Sequence, residues 1–450
     1  MQIAVIETPE LGDRSYLVHA GGAGFVVDPQ RDIDRMLGAI ESAGVRLSHV
    51  FETHIHNDYV TGGLALSAAT GAHYVVAGAD QVHFPRVPAG DGSQFQSGQL
   101  TVAALHTPGH TANHLAYVVT EGGHQEAVFT GGSLLYGTVG RTDLISPELT
   151  EELTRSQFRS TRRLLASLPG DTRVMPTHGF GSFCASGGTA TGQGGDIAQE
   201  RLRNLAATIG DETQFVTTVI SGLGPYPSYY RHMAPLNRHG PSAFLAPAQA
   251  GSASPALIRQ RLSERAWVID TRPRRTFAGA HLEGTVSVEL DDSFTTYVGW
   301  LAPFDSPIML LADRPQDLVL AERNLARIGM DRTEGNSSGI GRLSGQFPVR
   351  SYPVVAFREL QRTLDDGAFV LDVRQPDEWR AGHLRGAHHL PLQDLPTHLG
   401  ELPHEPIWVH CGVGFRASVA ASLIDRAGLE VVLVDDDFDR ARAAGLPVVI

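Results

Sequence analysis

The strongest constraint on this 450-residue chain is that its C-terminal part repeats itself. VIDTRPRRTFAGAHLEGTVSVEL, beginning at Val268, aligns without a gap onto VLDVRQPDEWRAGHLRGAHHLPL, beginning at Val370. Asp270 meets Asp372, Arg272 meets Arg374, His281 meets His383, Gly284 meets Gly386 and Leu290 meets Leu392 at one constant offset. Self-similarity of this kind means one structural unit built twice. In each copy an apolar run ends in an acidic residue, a polar stretch follows, and a second apolar run comes next. That order reads as strand, helix, strand in a parallel α/β sheet.

At about 150 residues per domain the length allows about three domains. Linker-like composition at 246–254 (APAQAGSAS) and the Gly/Ser-rich 335–345 (GNSSGIGRLSG) set the boundaries. The predicted domains are 1–245, 255–345 and 352–450. Acidic residues exceed basic ones, 49 to 36, for a formal charge of −13. With no Lys/Arg-rich run to neutralise phosphates, a nucleic-acid partner is not expected. The opening MQIAVIETPELGDRSYLV is broken by Glu7, Glu10, Asp13 and Arg14, so it reads neither as a signal segment nor as a membrane span. A cytoplasmic protein with no membrane partner is the expectation, and a monomer and a homo-oligomer both stay open. Two cysteines, Cys184 and Cys411, lie in different predicted domains and read as free thiols.

Before residue 200, short apolar runs at 24–28, 74–77, 100–105 and 127–130 alternate with Gly- and His-rich loops. These read as strands whose connecting loops carry chemistry. A polar, Gly-rich stretch at 186–195 precedes a helical pattern from Asp196. Thr53-His54-Ile55-His56-Asn57-Asp58 follows one strand-like run, and its two imidazoles one residue apart suit a single metal ion. His106-Thr107-Pro108-Gly109-His110-Thr111 and Pro176-Thr177-His178-Gly179 follow two more such runs.

THIHND, HTPGHT and PTHG, in this order and spacing, resemble the metallo-β-lactamase superfamily. With GRTDL and the later PYPSYY, the chain looks most like the persulfide dioxygenases fused to rhodanese domains. The resemblance implies an α/β multidomain fold: a metallo-β-lactamase αββα sandwich, then two rhodanese-like α/β domains with parallel sheets. It also implies one Fe(II) held by two histidines and one carboxylate, with His54 and His110 carried over as ligands and His56 matching the second histidine of the pair; a three-histidine site of His54, His56 and His110, which suits Zn(II) as well as iron, is the alternative. Small persulfides, thiosulfate and sulfite are the implied partners. Two departures stand out. Tyr59 replaces a histidine of the dinuclear hydrolases, and Thr130-Gly131-Gly132 lacks the metal-binding Asp, so Gly132 supplies no carboxylate. Asp58, Asp143, His178 or water are then candidates to complete the shell, and a carboxylate restored at position 132 is expected to raise iron affinity if that position faces the metal. A metal-dependent thioester hydrolase and a metal-free scaffold domain are the alternatives. Cys184, six residues after His178, reads either as a thiol facing substrate or as a small buried hydrophobe.

Ile407-Trp408-Val409-His410 reads as a buried strand, followed by Cys411-Gly412-Val413-Gly414-Phe415-Arg416 and a helical pattern over 417–427. A cysteine between a strand end and a helix start faces backbone N–H groups that favour a thiolate or persulfide anion. Gly412 and Gly414 let the loop curl, and Arg416 offers a fork for thiosulfate or sulfite oxygens. With LDVRQPDEW and GHLRGAHHLPL upstream, the segment is similar to the rhodanese family, with Cys411 as the sulfur carrier and Arg416 as the loop arginine. Rhodanese-fold phosphatases place one residue more between cysteine and arginine, so the shorter loop favours sulfur transfer. The first copy has Ala312 at the cysteine position, which predicts a structural role for that copy.

Overall fold

A computed structural model describes residues 1–186, 194–242, 244, 252–364 and 367–450. Most of the predicted linker at 246–254 and of the Gly-rich stretch at 186–195 lies outside the described residues. The chain divides into two compact units, one holding residues 1–245 with 326–329 and the other holding the rest.

The first unit is built on two sheets. One has six strands in the order Gln2–Thr8, Asp13–Ala20, Ala23–Val27, Arg46–Phe51, His73–Ala77, Val87–Ala89. The other has five, in the order Arg173–Pro176, His124–Gly131, Leu115–Glu121, Leu100–His106, Gln94–Ser97. Alternation along the strands buries both faces of each sheet. Tyr16, Val18, Phe25, Val27 and Phe51 form one apolar layer with Val102, Tyr117, Val119 and Phe129 of the other sheet. The intervening Leu17, Val26 and Val50 pack instead with Met36 and Leu66, from the helices Asp34–Ala43 and Gly63–Thr70. Val118, Val128 and Val174 pack with Leu164 and Leu165 of the helix Thr150–Ser167. The layers are therefore helix, sheet, sheet, helix. Strands Ala23–Val27 and Arg46–Phe51 are parallel, as are His124–Gly131 and Arg173–Pro176, so the residues following them emerge together at one edge of each sheet.

In the second unit the repeat is visible in space. The first copy forms a parallel sheet in the order Val286–Ser287, Trp267–Asp270, Ile308–Ala312, Ser337–Ser338. The second runs His388–His389, Phe369–Asp372, Ile407–His410, Val431–Val434, Val354–Val355. Four strands correspond one to one. The Gly/Ser-rich 335–345 stretch supplies the first copy's fourth strand, and His281 pairs with Arg350 beyond it. Local devices are duplicated as well. Arg272 forks onto Asp270 with Nη2 at 2.7 Å, and Arg374 does the same to Asp372 at 2.7 Å. The His281 ring stacks on Phe277 at 4.0 Å, and that of His383 on Trp379 at 3.7 Å.

Candidate metal centre and sulfur-transfer site

The strand ends of the first unit converge on a buried group of imidazoles and carboxylates. Asp28, just past Ala23–Val27, has a positive φ of 50°, a conformation that Asp tolerates better than most residues. Its carboxylate accepts from the Thr53 backbone N–H and the Thr53 hydroxyl, both at 2.7 Å, and from the Thr177 hydroxyl. One buried carboxylate thus fastens loops from both sheets.

The Thr53 hydroxyl, donating to Asp28, accepts from His54 Nδ1 at 2.9 Å, which leaves His54 Nε2 with its lone pair. That atom faces His178 Nε2 at 3.3 Å. His178 Nδ1 lies 2.9 Å from Asp13 Oδ1 and 3.0 Å from Asp58 Oδ2. Burial alone would keep His178 neutral, but Asp58 and Asp13 outweigh it and raise its pKa well above the usual histidine range. His56 Nε2 contacts Glu52 at 3.1 Å, Asp28 at 3.2 Å and the Tyr59 hydroxyl at 3.0 Å, while its Nδ1 has no partner. Against burial, Asp28 and Glu52 raise it to about 9. His110 Nδ1 donates to the Arg141 carbonyl at 2.7 Å and its Nε2 has no partner; burial and the His178 charge lower it to about 3. Histidines with one nitrogen fixed by a protein acceptor and the other left open are arranged as metal ligands usually are.

Two overlapping groups have ligand atoms within 4.8 Å of one another, His54 with His56 and His178, and His110 with His178 and Cys184. His178 belongs to both. Asp58 joins it in a third group with Asp13. Asp143 sits apart from these, with its carboxylate held by Arg141 at 2.7 and 2.8 Å. Sequence reasoning passed over Asp13, Asp28, Glu52 and His114. His114 Nε2 accepts the Gly132 N–H at 3.1 Å and its other nitrogen meets Thr107 Oγ1 at 2.9 Å, so it clamps the loop that lacks the expected carboxylate. Its position four residues after His110 was the available signal.

Position 132 lies against the His110 ring. A Cβ on Gly132 would lie 2.3 Å from His110 Cδ2 and 2.5 Å from His110 Cγ, and one on Gly140 would lie 2.7 Å from His110 Nδ1. The His110 ring occupies the space that a side chain at 132 needs, so a restored Asp displaces a candidate ligand.

At the second site, strand Ile407–His410 delivers Cys411 to a loop that opens the helix Phe415–Arg426. Gly414, at φ 94°, donates its N–H to Cys411 Sγ at 3.1 Å. Val413 projects outward, 63% exposed, whereas Cys411 is only 1% exposed. The Arg416 guanidinium forks onto Glu378 at 2.5 and 2.7 Å, from the helix Pro376–Ala381. The first copy reaches this loop. Arg274 donates to the Val413 carbonyl at 3.3 Å, to Asp435 at 2.8 Å and to Glu289 at 2.8 Å. The Tyr297 ring lies 5.4 Å from that of Phe415, and burial raises its hydroxyl to about 12. Glu378, Arg274 and Tyr297 were not legible from the motif. Ala312, at the end of Ile308–Ala312, is buried and carries no nucleophile.

An αββα sandwich with buried histidines at its strand ends, joined in one chain to a cysteine-loop α/β sheet, defines a two-part class of protein with a histidine cluster in one part and a thiol loop in the other. Residues 10–178 match the metallo-β-lactamase superfamily, and residues 356–444 match the rhodanese-like domain. Hydroxyacylglutathione hydrolase of Methylococcus capsulatus is 31% identical over 224 residues, 49% of this chain and 83% of that protein. Hydroxyacylglutathione hydrolase of Acidiphilium cryptum is 32% identical over 179 residues, 39% of this chain and 68% of that protein. Among solved structures, a metallo-β-lactamase from Staphylococcus aureus superposes with a TM-score of 0.68 at 23% identity, covering 75% of this chain and 99% of that one. ETHE1 from Myxococcus xanthus matches with a TM-score of 0.46 at 27% identity, over 53% of this chain and 98% of that one. The chain belongs to the metallo-β-lactamase superfamily, and a rhodanese-like domain follows its metallo-β-lactamase fold.

Proposed function

We propose that this protein works on sulfane sulfur at two centres. At the C-terminal one, the Cys411 thiolate attacks the outer sulfur of thiosulfate, forming the Cys411 persulfide and releasing sulfite. A small thiol then takes the terminal sulfur, regenerating Cys411 and yielding a low-molecular-weight persulfide. The observation that carries this reading is the Gly414 N–H aimed at Cys411 Sγ from 3.1 Å at the start of a 12-residue helix, a setting suited to a sulfur anion. Arg416, whose two Nη atoms are held by Glu378, adds a positive charge beside the loop for the departing sulfite.

The buried histidine cluster is proposed to hold one metal ion and to oxidise such a persulfide. One persulfide, one O2 and one water give one thiol and one sulfurous acid, which ionises to sulfite. Fe(II) is favoured because bound there it supplies the electron transfer to O2 that Zn(II) lacks. The donor set fits a metal: His56 Nδ1 and His110 Nε2 are buried without partners, and His54 Nε2 and His178 Nε2 face each other. His54, His56, His110, His178 and Asp58 are the candidates to hold it, with Asp13 and Thr53 orienting the rings.

A thioester hydrolase is the second reading, favoured by the relatives, which are hydroxyacylglutathione hydrolases. It needs hydroxide positioned between two metals. Tyr59, turned to His56 rather than offering an imidazole, and Gly132, with no carboxylate, both disfavour it. Offering the iron-loaded protein glutathione persulfide and a hydroxyacylglutathione side by side separates the two. Oxygen uptake with sulfite formation supports the proposal, and thiol release from the thioester without oxygen uptake refutes it.

A further inference from the structure

We propose that Cys184 is a metal ligand, its thiolate standing with His110 and His178 where the carboxylate missing at position 132 leaves the centre short of a donor. The inference rests on the metal-centre reading above and names the donor that makes this centre chemically distinct. Cys184 is fully buried, as are His110 and His178, and the ligand atoms of the three lie within 4.8 Å of one another.

The surroundings of the thiol are polar. Its neighbours include the two imidazoles, the Asp58 carboxylate and the Tyr230 hydroxyl at 3.9 Å. A cysteine kept as a small hydrophobe would sit among Leu and Val side chains. One more atom in this spot awaits a partner: His110 Nε2 is buried and unbonded. Buried polar atoms without partners are unfavourable unless something fills the gap between them.

The backbone positions Cys184 and His110 through one residue. The Arg141 carbonyl accepts from His110 Nδ1 at 2.7 Å, and the Arg141 N–H donates to the Cys184 carbonyl at 2.8 Å. The Arg141 guanidinium also holds the Phe183 carbonyl at 3.0 Å. Ring and thiol are thus registered against each other by a single peptide segment. The same arrangement accounts for Gly132, because the His110 ring stands where an Asp side chain would begin. Loading a divalent ion replaces the thiol proton, which leaves to solvent, by a metal–sulfur bond. A thiolate with imidazoles suits Zn(II), Fe(II) and the spectroscopic probe Co(II).

The test uses the full chain carrying Cys411→Ser, which leaves Cys184 as its one cysteine, loaded with Co(II). A sulfur-to-cobalt charge-transfer band in the near ultraviolet is expected, together with protection of the thiol from alkylation under partial denaturation. Adding Cys184→Ser should abolish the band and weaken cobalt retention against a chelator at least 10-fold, the scale on which changes around a metal alter its binding. If the double variant does not fold, the band in the Cys411→Ser protein alone decides. Cobalt bound without the band overturns the ligand assignment while leaving the metal centre standing, and no bound cobalt overturns both. The band together with no oxidation of a persulfide upholds the ligand and refutes the proposed reaction.

Discussion

Replacing Gly414 with Ala is expected to impair sulfur transfer through strain confined to the Cys411 loop. Gly414 has φ 94° and ψ −29°, and a Cβ there would come within 2.0 Å of Asp435 Oδ1 and 3.3 Å of Arg274 Nε. An L-residue held in the left-handed region costs about 1–2 kcal/mol. Pushing Asp435 aside weakens its bonds to Arg274 at 2.8 Å and Arg275 at 2.5 Å, and one charge-assisted hydrogen bond contributes about 1.5–3 kcal/mol. If the loop keeps its shape, the variant loses about 2.5–5 kcal/mol of stability, read as a lower denaturant midpoint. If the loop relaxes, the Gly414 N–H leaves Cys411 Sγ, and losing one such donor slows turnover on the order of 100-fold. Denaturation and thiosulfate-to-thiol transfer on one preparation cover both routes. Pairing the change with Asp435→Ala removes the clashing carboxylate, so the double variant should show less than the sum of the two effects. Wild-type transfer with an unchanged midpoint would refute the reasoning.

Gly132→Asp should lower bound metal, measured by elemental analysis, because its side chain displaces the His110 ring; a gain in metal would show that the ring yields and the carboxylate ligates. His110→Ala or His178→Ala should leave well under one equivalent of metal, whereas Cys411→Ala should retain the wild-type amount. Arg416→Ala should reduce kcat/KM with thiosulfate roughly 10- to 100-fold, the equivalent of about 1.5–3 kcal/mol for a charge-assisted contact. Arg274→Ala should slow transfer roughly 10-fold without changing metal content, since it removes contacts to the Val413 carbonyl and Asp435; unaltered transfer would confine the first copy to a purely structural part.

The repeat and the strand-end histidines were legible because both are local patterns. Aspartate–arginine forks and stacked histidines recur in the two copies, since they depend on residues two to four positions apart. What the chain brings together from afar was not legible. Asp13 and His178 are 165 residues apart, and Arg274 and Val413 are 139 apart, so only sheet order makes them neighbours. Position 132 illustrates a subtler gap. Its glycine reads as a missing ligand in one dimension, whereas in three dimensions it is the space filled by the His110 ring. The partner of Asp143 was equally invisible in the motif: Arg141, two residues away, takes up its carboxylate.

The central claim is that one chain carries two sulfur-handling centres with separate chemistry. Assaying thiosulfate-dependent sulfur transfer and persulfide-dependent oxygen uptake on a single iron-loaded Cys411→Ser preparation tests it most directly. Serine removes the sulfur nucleophile and nearly preserves volume, so the loop should keep its fold. The account predicts that transfer is abolished while oxygen uptake with an added persulfide persists at wild-type rate. Surviving transfer would contradict the role of Cys411, and loss of oxygen uptake at unchanged metal content would contradict the separation of the two centres.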